Sequence, residues 1–163
     1  LPDLKDKIDE QNLLHSAMMA SDDNRTDEAR QALEKVLRLD PKSPTALRQL
    51  GELEFHSGDY SRAADHLKQA REVRPEDSTA AFYEGQAREK TGDLAGARDA
   101  LEASLKLAPS QLTARLLLGQ VYLALKDPKN AADQFEAALL LQPKSAEAQL
   151  GLTQAQRLEK SDH

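Results

Sequence analysis

The chain has 163 residues, of which 39% are hydrophobic and 31% charged, and its formal net charge is −6 at pH 7. This composition excludes a disordered tail, which would be less apolar, and a nucleic-acid-binding surface, which would require a stripe of basic residues. The absence of cysteine excludes disulfides, thiolate metal sites and cysteine nucleophiles.

The first residues differ from the remainder of the sequence. Residues 1–9 are expected to be an N-terminal extension that continues into the first helix, or a linker from a preceding domain. Because the chain begins at Leu1 rather than at Met, we expect it to be a fragment or a processed product of a longer chain. No apolar run in the sequence approaches the length of a membrane span.

From residue 10 onward the sequence repeats every 34 residues. One column of identical residues contains Pro41, Pro75, Pro109 and Pro143, and another contains Ala29, Ala63, Ala97 and Ala131. A period of this length is typical of repeat proteins, in which each unit is one small supersecondary structure. The predicted units are residues 10–43, 44–77, 78–111 and 112–145.

Each unit predicts two helices joined by a tight turn. Apolar residues recur at helical spacing, as in Leu47, Leu50 and Leu53. Gly58 and Gly92 are expected to take a positive φ at the end of the first helix, and Asn24 fills the same position in the first unit. The aspartates that follow these turns are predicted helix N-caps. They are Asp59, Asp93 and Asp127.

Residues 146–163 predict a capping helix and a tail. Ala148, Leu152 and Ala155 share one face of this helix and are expected to pack on the last repeat. Gln149 and Gln156 are expected to face water. A repeat array needs such a polar outer face because its last unit would otherwise expose apolar surface.

Motifs of catalysis are absent from the sequence. It contains no phosphate-binding glycine loop, nucleophile elbow or zinc-protease motif, and its four histidines have no metal-ligand spacing. His56 and His66 are expected to be surface imidazoles, and Glu52 and Glu54 solvated carboxylates. We therefore expect no enzymatic activity and no cofactor or metal site.

The repeat resembles the tetratricopeptide repeat, whose pattern over 34 residues is W-x2-L-G-x2-Y…A-x3-F…P. The best-matched unit supplies Leu118, Gly119, Tyr122, Ala131, Phe135 and Pro143. The resemblance implies an all-α, right-handed superhelical solenoid of helix-turn-helix units with a C-terminal capping helix. It also implies a protein–protein interaction module that binds a partner protein or an extended peptide in a concave groove.

The resemblance places this groove on the first helix of each unit. The residues that it assigns to partner binding are Leu14, Met18, Arg48, Glu52, Phe55, Thr79, Phe82, Gln86, Lys90, Leu116, Gln120 and Leu123. Leu150 and Gln154 of the capping helix are candidates for the same face. Apolar side chains in a cleft favour a ligand with apolar anchors. A short superhelix can also bury part of its inner wall, and this alternative stays open at this point.

Members of the family that bind acidic chaperone tails resemble one another in a clamp of Lys, Asn and Arg. Of the corresponding positions here, only Arg48 holds a residue of that kind. We therefore expect a partner segment of mixed apolar and polar character rather than an acidic tail.

Two alternatives concern the parent protein. The array could pair with itself and hold a larger assembly together as a homo-oligomer. Residues 1–20 also resemble, weakly, the junction before the C-terminal tetratricopeptide region of bacterial sulfatase-like multidomain hydrolases, in which case the catalytic centre lies upstream. The lack of cysteine favours the cytoplasm, and membership in a secreted hydrolase would imply export.

Overall fold

A computed structural model describes residues 3–161 of the chain. This part of the chain contains nine α-helices and no β-strand, which confirms the all-α prediction. The helices are α1 (Leu4–Asp22), α2 (Thr26–Leu39), α3 (Pro44–His56), α4 (Tyr60–Val73), α5 (Ser78–Thr91), α6 (Leu94–Leu107), α7 (Leu112–Ala124), α8 (Pro128–Leu141) and α9 (Ala146–Ser161). None of them is both long enough and apolar enough to cross a membrane.

The helices form two compact units, with unit 1 ending at Pro75 and unit 2 beginning at Glu76. In unit 1, each helix from α1 to α4 packs against the next one in the sequence. In unit 2, the same is true from α5 to α9, and α7 also contacts α5 and α9. We call α1, α3, α5, α7 and α9 the first-type helices and the other four the second-type helices.

Backbone conformation at the turns follows the repeat. Gly58 and Gly92 have φ values of 83° and 82°, as predicted, and Asn24 has a φ of 59°. In the fourth turn Lys126 also has a positive φ, of 60°, which the sequence analysis did not predict. A residue with a Cβ is strained in this region. The turn geometry of the repeat is thus kept even where the sequence offers no glycine or asparagine.

The predicted N-caps differ in their hydrogen bonds. The Asp93 side chain accepts a hydrogen bond from the Gly96 N–H at 3.0 Å, and Asp127 accepts one from the Asn130 N–H at 3.2 Å. Asp59 holds the N-cap position of α4, but its side chain makes no capping hydrogen bond. It lies instead 3.6 Å from an Arg62 guanidinium nitrogen.

Small residues let the paired helices approach closely. The alanines of the repeat column, Ala29, Ala63, Ala97 and Ala131, are all 0% exposed. A Cβ placed on Gly119 would lie 2.6 Å from Cζ of Phe135, closer than a carbon–carbon contact allows. Phe135 is itself 0% exposed. The ring of Phe135 therefore occupies the space that glycine leaves between α7 and α8.

A buried carboxylate in unit 1 corrects one sequence prediction. Glu54 was expected to be solvated, but it is 1% exposed and its Oε2 lies 2.7 Å from Nδ1 of His66. Guanidinium nitrogens of Arg30 and Arg62 each lie 3.8 Å from its Oε1. His66 was expected to be a surface imidazole, and it is half-buried. The two arginines reduce the cost of burying the Glu54 carboxylate, which would destabilise the fold if it had no partners.

The last helix has the polarity that was expected of a cap. Ala148 is 0% and Ala155 is 1% exposed, and Leu152 is half-buried against the core of unit 2. Gln149 and Gln156, on the other side of α9, are exposed. Packing of α9 against α8 and α7 thus covers the last helix pair.

Candidate partner-binding surface

All twelve residues predicted to bind a partner lie on first-type helices, and none of them is buried. In unit 1, Leu14 and Met18 are on α1, and Arg48, Glu52 and Phe55 are on α3. In unit 2, Thr79, Phe82, Gln86 and Lys90 are on α5, and Leu116, Gln120 and Leu123 are on α7. Each unit therefore presents its own part of the predicted surface.

Unit 1 has a cleft between α1 and α3 with a volume of 480 Å³. Three of the predicted residues line it, namely Met18, Arg48 and Glu52. A guanidinium N–H of Arg48 donates a hydrogen bond to the Glu52 carboxylate one helical turn further along α3. The side chain of Met18 is 47% exposed, so the cleft offers an apolar contact beside this ion pair.

The other residues that line the cleft are polar except for Leu53. The polar ones are Ser21, Asp22, Asn24, Thr26, Gln49, His56 and Ser57. The C-terminal ends of α1 and α3 both lie at the cleft, because these helices end at Asp22 and His56. Helix C-termini carry partial negative charge. The cleft is thus suited to a polar segment rather than to a purely apolar one.

Leu14 and Phe55 are not part of this cleft. Leu14 is half-buried and packs against the core of unit 1. The Phe55 ring is half-buried and forms edge contacts with His56 and Tyr60, at ring-centroid distances of 5.5 Å and 5.4 Å. The sequence prediction therefore combined residues that line the cleft with residues that support the helices around it.

In unit 2 the predicted apolar residues are half-buried. Phe82, Leu116 and Leu123 all pack against the core cluster around Leu118 and Phe135. Part of each side chain remains accessible to solvent. The two interpretations left open by the sequence thus both apply here, since each side chain contributes to the core and to the surface.

The predicted polar residues of unit 2 are more accessible. Thr79, Lys90 and Gln120 are exposed, whereas Gln86 is half-buried. Nε2 of Gln120 donates a hydrogen bond of 2.8 Å to Oε1 of Glu147 on α9. Gln86 makes no side-chain hydrogen bond to any residue between 3 and 161.

Between residues 3 and 161, no three His, Asp or Glu side chains come close enough to hold a metal ion. The most perturbed group is the Tyr122 phenol, whose pKa is raised by burial and by its hydrogen bond to Glu102. Both effects favour the neutral phenol, so Tyr122 acts as a structural hydrogen-bond donor.

Sequence analysis missed two cleft residues, Gln49 and His56. His56 follows Glu52 by four residues and therefore lies on the same face of α3. This spacing was a usable signal, but His56 was predicted only to be a surface imidazole and was not assigned to partner binding. Gln49 directly precedes Leu50 and Gly51 of the repeat pattern and carries no comparable signal.

Solved structures similar to this chain are tetratricopeptide proteins or relatives of them. A crystal structure of MamA is 22% identical, covers 93% of this chain and 83% of that chain, and has a TM-score of 0.88. A tetratricopeptide repeat protein from Parabacteroides merdae is 18% identical, covers 94% of this chain and 61% of that chain, and has a TM-score of 0.81. These likenesses show a shared fold.

A third structure contains a ligand. The first tetratricopeptide domain of Spaghetti (RPAP3), bound to the HSP90 peptide SRMEEVD, is 21% identical to the chain. It covers 74% of this chain and 96% of that chain, with a TM-score of 0.67. No curated protein sequence matches the chain significantly.

Family profiles agree with the repeat seen in the sequence and with the paired helices. One tetratricopeptide repeat profile matches residues 20–87, and another matches residues 84–146 and 116–161. The matches follow one another along the chain from residue 20 to residue 161, over the helix pairs described above. The chain therefore belongs to the tetratricopeptide repeat family.

Proposed function

We propose that the chain binds a partner protein, or an extended peptide segment of one, on the faces of its first-type helices. The observation that carries this proposal is the cleft of unit 1. It is concave, it lies between two first-type helices, and it contains Met18, Arg48 and Glu52, which the repeat itself does not require. A preformed cleft on rigid helices loses little conformational entropy when it binds a segment.

The chemistry of the cleft favours a partner segment of mixed character. Arg48 is already hydrogen-bonded to Glu52, so it is not available as the cationic centre of an acidic clamp. Asp22 makes no salt bridge with any residue in the described part of the chain. Together with the two helix C-termini, it makes a strongly acidic tail an unfavourable occupant of this cleft. The HSP90 peptide seen in the RPAP3 domain is thus not the ligand class that we propose here.

Adjacent methionines on α1 provide a matched test. Met18 and Met19 are 47% and 46% exposed, but only Met18 lines the cleft. Random peptides displayed on phage would be selected on the whole chain, and the affinities of selected peptides measured by fluorescence anisotropy. We expect Met18→Glu to weaken binding about tenfold or more and Met19→Glu to leave it unchanged.

A second pair of variants tests unit 2 with the same peptides. Phe82→Glu is expected to weaken binding of peptides that reach α5, with helicity by circular dichroism unchanged. Leu140→Glu is the control, because Leu140 is 86% exposed on the second-type helix α8. Selection of no peptide, or equal losses in variant and control, would contradict the proposed function. Loss of helicity in Phe82→Glu would show that this side chain is required by the core.

Self-association is a second candidate function, favoured by the outer face of α1. Leu4, Ile8 and Met19 are 71%, 49% and 46% exposed, and they lie opposite the buried Ala17 and Ala20. Sedimentation velocity at two concentrations would detect an oligomer formed through this face. Ile8→Glu places a charge in this face and is expected to convert such an oligomer to a monomer.

No catalytic role is proposed for any residue of the chain. The family to which it belongs consists largely of interaction modules. The weak resemblance of residues 1–20 to junctions in sulfatase-like hydrolases has no counterpart among the similar structures above. A parent enzyme of that class is therefore not part of the proposed function.

A further inference from the structure

Unit 2 carries a column of glutamines across its first-type helices. Gln86, Gln120 and Gln154 follow one another at the repeat spacing, on α5, α7 and α9. Because α7 contacts both α5 and α9, the three side chains lie on neighbouring helices. In unit 1 the same position holds Met18 and Glu52. The fold therefore does not require glutamine at this position.

An apolar column accompanies the glutamines. Phe82, Leu116 and Leu150 precede them by four residues on the same three helices, and so lie on the same helix faces. Leu150 is 61% exposed, and the other two are partly exposed while they contact the core. Each first-type helix of unit 2 thus presents one apolar side chain and one amide, a helical turn apart.

The amides have hydrogen-bonding capacity to spare. Gln86 and Gln154 make no side-chain hydrogen bond to any residue between 3 and 161. Gln120 donates to Glu147, which orients its side chain and leaves its Oε1 as an acceptor. A primary amide offers both donors and an acceptor, and a peptide group offers one of each. The glutamine column therefore matches the main chain of a bound segment.

The charges of the two columns limit which partner segments can bind to them. Neither column of unit 2 contains a charged residue, whereas the same two columns in unit 1 contain Arg48 and Glu52, which bond to each other. The charged groups that adjoin these columns already have partners, since Lys90 lies 3.4 Å from Glu89 and Glu147 accepts a hydrogen bond from Gln120. A charged side chain placed against the columns would therefore lose hydration with little ionic compensation. Charge complementarity thus selects an uncharged segment.

We propose that Gln86, Gln120 and Gln154 bind the main chain of an extended, uncharged partner segment whose apolar side chains contact Phe82, Leu116 and Leu150. This inference rests on the proposed function and specifies the ligand class for unit 2. Packed helices lie about 8–10 Å apart, and an extended chain advances about 3.3 Å per residue. The segment therefore carries an apolar residue at about every third position.

Main-chain recognition is tested by removing single backbone donors from a peptide. The probe is a fluorescent nine-residue peptide with leucine at every third position and neutral spacers, compared with versions that are N-methylated at one spacer at a time. N-methylation removes one N–H donor and leaves the side chains unchanged. We expect at least one N-methylated peptide to bind the wild-type chain about three- to tenfold more weakly.

The assignment to the glutamine column comes from a double-mutant cycle. The Gln154→Ala variant is expected to bind the unmodified peptide more weakly than the wild type by a similar factor. One of the N-methylations is expected to cause no further loss of affinity in this variant. Gln156→Ala is the control, since Gln156 is exposed on the opposite side of α9. The Gln156→Ala variant is expected to bind the unmodified peptide as tightly as the wild type and to lose as much affinity on each N-methylation. Replacement of a spacer of the peptide by glutamate is expected to weaken binding to the wild type and to both variants.

Each other outcome overturns the inference in a recognisable way. If the peptides bind but N-methylation has the same effect on Gln154→Ala as on the wild type, the glutamine column does not bind the main chain. If phage-selected peptides bind but the neutral nine-residue peptides do not, the ligand class is wrong while the proposed function stands. If neither kind of peptide binds, the proposed function fails as well.

Discussion

Units 1 and 2 fill one repeat position with different chemistry. Glu54 of unit 1 and Tyr122 of unit 2 are separated by two repeat lengths, and both are buried, at 1% and 7% exposure. Glu54 is hydrogen-bonded to His66 of α4, whereas the Tyr122 hydroxyl donates to Glu102 of α6. The position therefore accepts a polar group that reaches a second-type helix but requires neither a polar group nor an aromatic ring, since Ala20 of the first repeat is buried at the same position.

The last helix pair of unit 2 also differs in the residue that packs over its first-type glycine. The side chain of Leu67 lies over Gly51 in unit 1 and that of Leu101 over Gly85 in unit 2, whereas the ring of Phe135 lies over Gly119. Phe135 is also adjacent to Gly151 on α9, so its ring is enclosed between two glycine positions. The last helix pair of unit 2 thus depends on one large side chain where unit 1 uses a smaller one.

The largest expected effect comes from Phe135. Phe135→Ala is expected to lower the free energy of unfolding by about 3–5 kcal/mol, because the cavity between α7, α8 and α9 cannot close fully. Phe135→Leu, which installs the residue of unit 1, is expected to cost less. Urea unfolding followed by circular dichroism measures both. Leu140→Ala on the same helix is the control, and a loss there equal to that of Phe135→Ala would contradict this account.

The next largest effect concerns the hydrogen bond between His66 and Glu54 in unit 1. His66→Ala removes the hydrogen-bond donor of a carboxylate that is 1% exposed, and is expected to cost about 1–3 kcal/mol. The arginines near Glu54 reduce this cost, since they stay in place. The double variant Glu54→Gln/His66→Ala is expected to be more stable than the sum of the single variants predicts. Additive losses in urea unfolding would show that the two residues do not act as a pair.

A smaller loss of stability is expected from variants of the two aspartates that hold the N-cap positions of α4 and α6. Asp93 caps α6 through the Gly96 N–H, and Asp59 at the same repeat position makes no such bond. Asp93→Ala is expected to cost about 1 kcal/mol, and Asp59→Ala only a few tenths. Thermal unfolding of the two variants, each compared with the wild type, tests this difference. Equal shifts in the midpoint would mean that the capping bond contributes nothing measurable.

The repeat columns explain which features could be predicted from the sequence. Helix pairing, turn positions and the alanine column depend on backbone geometry, and the residues that allow this geometry recur at a fixed spacing. Gly58 and Gly92 are examples, since both have the predicted positive φ. The capping helix was predicted for the same reason, because Ala148 and Ala155 fit the face that earlier repeats bury.

The features that were missed depend on pairs of side chains. Glu54 was assigned to solvent because an isolated carboxylate is rarely buried, although its column contains Tyr122 and so faces inward. Only the position of His66 on the facing helix makes burial of Glu54 favourable. Asp59 and Asp93 likewise look equivalent in sequence. The pairing of Asp59 with Arg62, rather than with a backbone N–H of α4, is a choice of side-chain conformation.

The smallest expected effect is the acid dependence of stability that comes from Asp93. The Gly96 N–H and, in addition, the Arg88 guanidinium lower the pKa of the Asp93 carboxyl. A pKa that is lower in the folded than in the unfolded chain stabilises the fold at neutral pH, and this contribution is lost as the pH falls through the folded-state pKa. Because Asp93 is exposed and screened by solvent, the effect is expected to stay below about 1 kcal/mol.

Asp93→Asn isolates this titration, because asparagine caps a helix about as well as aspartate but carries no acid. From about pH 7 to about pH 3, the wild type is expected to lose more free energy of unfolding than Asp93→Asn. If Asp93→Asn instead loses as much free energy of unfolding as the wild type over this range, the ionised Asp93 carboxylate does not stabilise the N-terminus of α6 in solution.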